Sequence, residues 1–390
     1  MTSQFDNIVD RRHTNSMKWD VADHELPMWV ADMDFPTAPV VHEAIIRRAN
    51  HGIFGYTDVP SDFSQALCWW WRERHGWHIQ PEWLHFCTGV VPALSSMVRS
   101  LTDVGDRIAV ITPAYNIFFH SILNSNRQVA PCDLRYDNGE YSVDFPALEA
   151  TLADPKVTLL ILCNPHNPVG ILWDRQTLER IGDMCDRHKV TVISDEIHCD
   201  ISAPNCSYIP FAAASPTCSR ISATCLSASK AFNIAGIQAA AVVVPNAQLR
   251  EDIVRGLNRD EVAEPNVFAI DATVAAFSPR GAQWLDSLRR YLWENRRHAE
   301  DYLAKYLPVV RAIPAQATYL LWLDCSAITT DSTKLTACIR KTSGLVLSDG
   351  AIFRGNGQEF LRLNLACPRS QLDDGLQRLR TGVLAYLAQA

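Results

Sequence analysis

Long basic or acidic runs are missing from this 390-residue chain, and so is any apolar stretch of membrane-spanning length. With no Lys/Arg cluster and a net charge of -7, neither a nucleic acid nor an anionic membrane is expected as the main partner. No basic stretch followed by an apolar segment occurs in Met1, Thr2, Ser3, Gln4, Phe5, Asp6, and a cytoplasmic location is expected. Internal repeats and low-complexity tracts are absent as well, which excludes solenoid architectures. Cysteine is plentiful at 12 residues, but paired motifs are not. Cys185 with His188 and His75 with His78 have ligand-like spacing, yet neither has a second matching pair, so no metal site is expected. The remaining thiols are scattered, and Cys163 and Cys225 fall in apolar strand-like runs, where reduced core residues belong.

What is present is an alternation of strand-like and helical segments. The length is large for one domain, and 47% hydrophobic content can bury a sizeable core, so two domains are expected. Strand-like runs recur at Arg107 to Thr112, Val157 to Cys163, Val190 to Asp195, Ile221 to Leu226 and Ala239 to Val244. Helical stretches such as Arg175 to His188 lie between several of them, which predicts an α/β fold with a mostly parallel sheet and right-handed crossovers. After Pro279, a helix from Ala282 to Leu307, short strands at Thr318 to Leu323, Leu345 to Leu347 and Phe360 to Leu365, and a helix through Leu387 predict a smaller α+β domain. The expected division is a large domain of residues 36-280 and a small one of 1-35 with 281-390. The triple Trp69, Trp70, Trp71 lies on a helix and is read as packing.

Chemistry-bearing residues sit where these runs end. Lys230, in Ser227, Ala228, Ser229, Lys230, follows the strand ending near Cys225; a lysine there can form an imine with an aldehyde cofactor, with two hydroxyls beside it for a phosphate. Asp195 stands where the β-branched run Val190 to Ile193 stops, at the carboxyl end of a strand, where ligands bind in open α/β sheets. A carboxylate there could keep a pyridine nitrogen protonated. Two Asn-Pro steps and Gly170 in Asn164 to Gly170 force a non-helical turn that places the Asn167 amide above the same edge. Thr88, Gly89, Val90, Val91 open a helix whose free N–H groups and dipole suit a phosphate.

The order of the Gly89 turn, Tyr115, Asn167, Asp195, Ser-Ala-Ser-Lys230 and Arg362 resembles the fold type I enzymes that use pyridoxal 5'-phosphate, the aspartate aminotransferase superfamily. Within it, Leu26 to Phe35, Phe54-Gly55-Tyr56, Asn164 to Gly170 and Arg362 to Arg369 resemble the MalY/PatB group of cystathionine β-lyase-like carbon–sulfur lyases. The resemblance implies that Lys230 holds the cofactor and moves the Cα proton, Asp195 pairs with the pyridinium, Asn167 bonds the ring oxygen and Tyr115 stacks on the ring. It implies a phosphate site of Val90, Val91, Ser227 and Ser229, with Tyr56 reaching the phosphate of a neighbouring subunit, hence a homodimer with shared sites. His198 stands where aspartate aminotransferases have a tyrosine. Arg362 is the implied clamp for the substrate α-carboxylate, with Arg369 as competing candidate, and Trp29 and Tyr319 as pocket-lining residues.

The activity so implied is β-elimination from cysteine S-conjugates such as L-cystathionine, giving a thiol (homocysteine), pyruvate and ammonia. The alternatives are transamination and, as a lesser one, a PLP-binding regulatory role. The S-x-x-K pattern of Ser227 and Lys230 also occurs in serine acyl enzymes, but no S-D-N element accompanies it here.

Overall fold

A computed structural model describes residues 3–389. Its central sheet has seven strands: β1 (Leu84–Cys87), β2 (Arg107–Thr112), β3 (Gln128–Asp133), β4 (Val157–Cys163), β5 (Thr191–Asp195), β6 (Ser222–Leu226) and β7 (Ala240–Val243). Their spatial order is β1-β7-β6-β5-β4-β2-β3. From β6 to β3 every neighbouring pair is parallel, as the strand–helix alternation predicts.

Both faces of the sheet are covered, and the period-2 alternation sorts side chains between them. Ile108, Val110, Ile161 and Ile193 pack with Leu94, Met97 and Phe118 on one face. Ala109, Ile111, Leu160 and Val192 pack with Leu178, Ile181 and Met184 on the other. The helix Arg175–Arg187, which supplies the last three, begins on a cap in which the Asp174 side chain accepts from the Thr177 amide. Twelve cysteines are free, and Cys163 and Cys225 are buried as expected.

Two edge strands escape the sequence reading. β3 carries Pro131, which cannot donate to a ladder and is tolerated because β3 pairs only with β2. β1, at the opposite edge, is four residues long and half exposed at Leu84 and His85. The run at Ala239 to Val244 does form a strand, but β7 is antiparallel to β6 and β1. A parallel return needs a crossover, and the segment between β6 and β7 contains only the 3-10 turn Ala235–Ile237.

Beyond the long helix Pro279–Tyr306, a four-stranded antiparallel sheet orders Arg311–Ala312, Leu320–Asp324, Phe360–Asn364 and Ser348–Asp349 side by side. The N-terminal segment joins this part of the fold, because Leu26–Pro27 pairs in parallel with Leu345–Val346. Trp70 and Trp71 are fully buried, Trp69 partly so, and the Trp70 indole donates to both carboxylate oxygens of Asp200 at 3.0 and 3.1 Å. Among the described residues no helix is long and apolar enough to cross a membrane.

Candidate active site

A cavity of about 250 Å³ opens at the carboxyl ends of β4, β5 and β6, which is where ligands bind in such sheets. Asp195, Asn167, Tyr115, His198 and Lys230 all line it, although they come from four separate segments of the chain, Asp195 and His198 sharing one. β4 and β5 set the register: Cys163 pairs with Asp195, so the turn carrying Asn167 starts beside the Asp195 carboxylate. Gly170 closes that turn, its amide bonded to His166 O at 2.6 Å, with φ at +82°. A Cβ there would lie 2.6 Å from Ala315 Cβ and 2.8 Å from Ala317 O, so only glycine fits.

The electrostatics follow from burial. Asp195 is 5% exposed and accepts one hydrogen bond, from the Ile197 amide at 3.1 Å, so desolvation pushes its carboxyl up to about 6 despite that bond and the Lys230 charge. A cation brought against it would restore the ionised form. Lys230 is pulled down to about 8, first by desolvation and then by the Arg362 charge, with Asp32 and Asp195 opposing. His198 is held near 3 by burial, Lys230 and Arg362; it is therefore a neutral imidazole, and its Nδ1 has no partner among the described residues.

Another part of the lining is suited to an anion. The helix Val90–Leu101 starts here, and its first amide with an in-helix acceptor is that of Ala93, bonded to Gly89 O at 3.1 Å, which leaves the Val90 and Val91 N–H groups free. Ser227 Oγ donates to Ala239 O at 2.7 Å and accepts from the Ser229 amide at 3.1 Å. With that proton committed, Ser229 provides the free hydroxyl of the pair, and both serines line the cavity.

Arg362, on Phe360–Asn364, is 6% exposed. Its Nη1 donates to Asn167 Oδ1 at 3.2 Å and its Nη2 to Trp29 O at 3.0 Å and Ser348 Oγ at 3.2 Å, while Nε has no partner. Burial lowers the guanidinium to about 10, so it stays charged at neutral pH. A guanidinium only donates, so it fixes the Asn167 amide with its oxygen toward Arg362 and Nδ2 free. Tyr319 is fully buried, and its hydroxyl donates to Ala31 O at 2.9 Å, the same carbonyl that accepts from Lys230 Nζ at 2.7 Å.

Three further residues of the sequence reading lie outside the cavity wall. Trp29 meets Arg362 through its backbone carbonyl, while its indole donates to Lys18 O at 3.3 Å. Tyr56 is not brought to the cavity within one chain; it is fully exposed on a separate surface groove with Phe54 and Phe268. Arg369 is tied to Asn295 Oδ1 at 2.8 Å, a packing role. Missed were Ala31, which acts through its carbonyl, and Gln238, which lines both the cavity and the Tyr56 groove. Outside the site, His75, Cys199 and Asp200 lie together, but the Asp200 oxygens are taken by the Trp70 indole and by His75 Nε2 at 2.9 Å.

The family model of aminotransferases class I and II matches residues 26–379. The chain belongs to that family. Among curated members, it is 41% identical to "Cystathionine beta-lyase PatB" of Bacillus subtilis (strain 168), over 97% of this chain and 99% of that one. It is 34% identical to "Protein MalY" of Escherichia coli (strain K12), over 98% and 99%. Among solved family structures, it superposes on the PLP-bound C-S lyase from Staphylococcus hominis with a TM-score of 0.92 and 32% identity, covering 98% of this chain and 99% of that one. Family membership accounts for the sheet order and for the cavity at the strand ends.

Proposed function

We propose that this chain is a pyridoxal 5'-phosphate-dependent lyase that breaks the Cβ–S bond of cysteine S-conjugates such as L-cystathionine, releasing a thiol such as homocysteine, pyruvate and ammonia. One observation carries it: Lys230 and Asp195 line a single cavity together with a helix N-terminus whose amides are free. The likeness to relatives named cystathionine beta-lyase and C-S lyase supports elimination over transamination.

The residues fit the cofactor by their donor set. Asp195, buried with a single hydrogen bond, suits the ring nitrogen. The free Asn167 Nδ2 suits the ring oxygen, and neutral His198 stands beside it. Tyr115 offers a half-buried ring face, and the Val90 and Val91 amides with the Ser229 hydroxyl suit the phosphate, Ser227 Oγ holding the Ser229 amide beside them. Bound there, the group supplies an electron sink that acidifies the amino-acid Cα–H bond. Lys230, with its amine lowered to about 8, keeps a reactive unprotonated fraction near neutral pH and takes the Cα proton. Arg362, charged and with Nε unpartnered, receives the substrate α-carboxylate. Trp29 and Tyr319 border the place this substrate would fill.

The exposed Tyr56 belongs to a homodimer in which it reaches the phosphate of the partner's site. The same reading assigns residues 36-280 to a large cofactor-binding domain and 1-35 with 281-390 to a small one, in a cytoplasmic protein. Borohydride reduction of the holoenzyme followed by peptide mass mapping tests the site: the cofactor is expected on Lys230, and its recovery on any other lysine overturns the assignment.

A further inference from the structure

Lys230 and the N-terminal segment are joined by a lattice that the elimination chemistry does not itself require. The carbonyl that receives Lys230 Nζ at 2.7 Å belongs to Ala31, and the segment around Ala31 is clamped on all sides. Asn364 Nδ2 donates to Val30 O and to Asp32 O, both at 2.6 Å. Asn233, three residues beyond Lys230, accepts from the Met33 amide at 3.0 Å and donates to Met33 O at 3.0 Å and Phe35 O at 2.8 Å. The loop that carries the lysine and the segment that carries its acceptor are therefore one unit.

Charge fixes the outer side of that unit. Lys18 is 1% exposed, and its ammonium lies 2.8 Å from Asp34 Oδ2, 3.6 Å from Asp32 Oδ1 and 3.3 Å from Asp32 O. Arg11 spans both acids, Nη2 to Asp32 Oδ2 and Nη1 to Asp34 Oδ1, each at 2.7 Å. Trp19 Nε1 and Gln371 Nε2 complete Asp34, each at 2.9 Å. A lysine this deeply buried is rare unless paired, and here two cations hold two acids of the segment adjoining Ala31.

We infer that the Ala31 carbonyl is the seat of the Lys230 ammonium whenever that amine is not bonded to the cofactor, and that Lys18 and Arg11 are positioning residues acting on it through Asp32 and Asp34. The inference rests on the assignment of Lys230 as the reactive amine. The groups facing that amine are Asp32 and Asp195, which favour its charged form, and Arg362, which opposes it, with the Tyr319 hydroxyl on the same carbonyl and neutral His198 nearby. Asp32 is the one of these whose charge is shared with Lys18 and Arg11, so the lattice sets how much of its field reaches Lys230.

Two substitutions move Lys230 in opposite directions. Asp32→Asn removes a carboxylate that favours the ammonium, so the amine loses its proton at lower pH. Lys18→Met removes a cation that neutralises Asp32, so the amine loses its proton at higher pH. The measurement is competitive acylation of Lys230 in full-length, cofactor-free protein across pH, read by mass spectrometry. Shifts of about half a pH unit, downward for Asp32→Asn and upward for Lys18→Met, are expected. Trp19→Phe, which removes a donor to Asp34 without touching Asp32, should lower thermal stability and leave the midpoint in place. Shifts of the same sign in both variants, or none in Asp32→Asn, overturn the inference; if Lys18→Met does not fold, Asp32→Asn against Trp19→Phe decides it alone. Because the readout needs no turnover, failure of the lyase reading leaves it standing, and borohydride mapping separately tests the Lys230 assignment.

Discussion

Arg362 Nη1 donates to Asn167 Oδ1 at 3.2 Å across 195 positions of sequence. That contact joins the proposed carboxylate clamp to the proposed ring-oxygen donor: the same guanidinium that would receive the substrate also holds the Asn167 oxygen and leaves its N–H groups unbonded. Replacing Arg362 by Lys keeps the charge but loses the fork. The expected result is a loss of about 2 kcal/mol in kcat/KM, on the order of thirtyfold, for substrates with a free α-carboxylate. A decarboxylated analogue should lose far less; an equal loss for both removes the clamp.

Asp195 gives a pH dependence whose sign can be worked out. Burial raises its folded-state pKa from 3.8 to about 6, so the folded protein binds this proton more tightly than the unfolded chain does. Stability is therefore full below about 4 and declines as pH rises from about 4 to about 6, as the buried group ionises. Asp195→Asn should stabilise cofactor-free protein at pH 7, by about 3 kcal/mol at most, with the gain vanishing near pH 4. In the same variant, PLP affinity should fall at least tenfold, on the order of one lost ion pair. Thermal unfolding at the two pH values checks the first statement and equilibrium titration the second.

Much of this site was legible because chemistry-bearing side chains follow apolar runs. Asp195 ends β5, whose β-branched residues announce it, Lys230 follows four residues after the buried strand β6, and the Asn-Pro steps mark the Asn167 turn. Ala31 was not legible, because a backbone carbonyl leaves no trace in residue type. The Trp29 carbonyl, which accepts from Arg362, left no trace for the same reason. The direction of β7 escaped because strand period says nothing about polarity, and β3 escaped because Pro131 disguises an edge strand. Tyr56 is fully exposed in the single chain, and the role proposed for it needs a second copy.

Stability away from the site centres on Trp70, which is fully buried and hydrogen-bonded to Asp200. Trp70→Ala should cost about 4 kcal/mol, combining a cavity with a less satisfied buried carboxylate. The visible absorbance of the bound cofactor at low temperature should be unchanged; chemical denaturation with spectroscopy on the same samples separates the two effects.

A shared site predicts complementation. Tyr56→Phe should weaken cofactor binding through the partner's phosphate site, and Lys230→Ala should abolish turnover outright. When the two inactive or weakened variants are mixed and allowed to exchange subunits, hybrids carry one site with both native residues. Activity above the sum of the separate variants is expected; strictly additive activity means that each chain builds its site alone.

The central claim concerns which bond breaks after the Cα proton leaves, and one assay addresses it. Purified holoenzyme is mixed with L-cystathionine in the absence of any keto acid, and pyruvate and free thiol are followed over many turnovers. Sustained, stoichiometric release of both is the predicted result. A single turnover that bleaches the cofactor's visible band, restored only when a keto acid is added, contradicts elimination and makes the protein an aminotransferase.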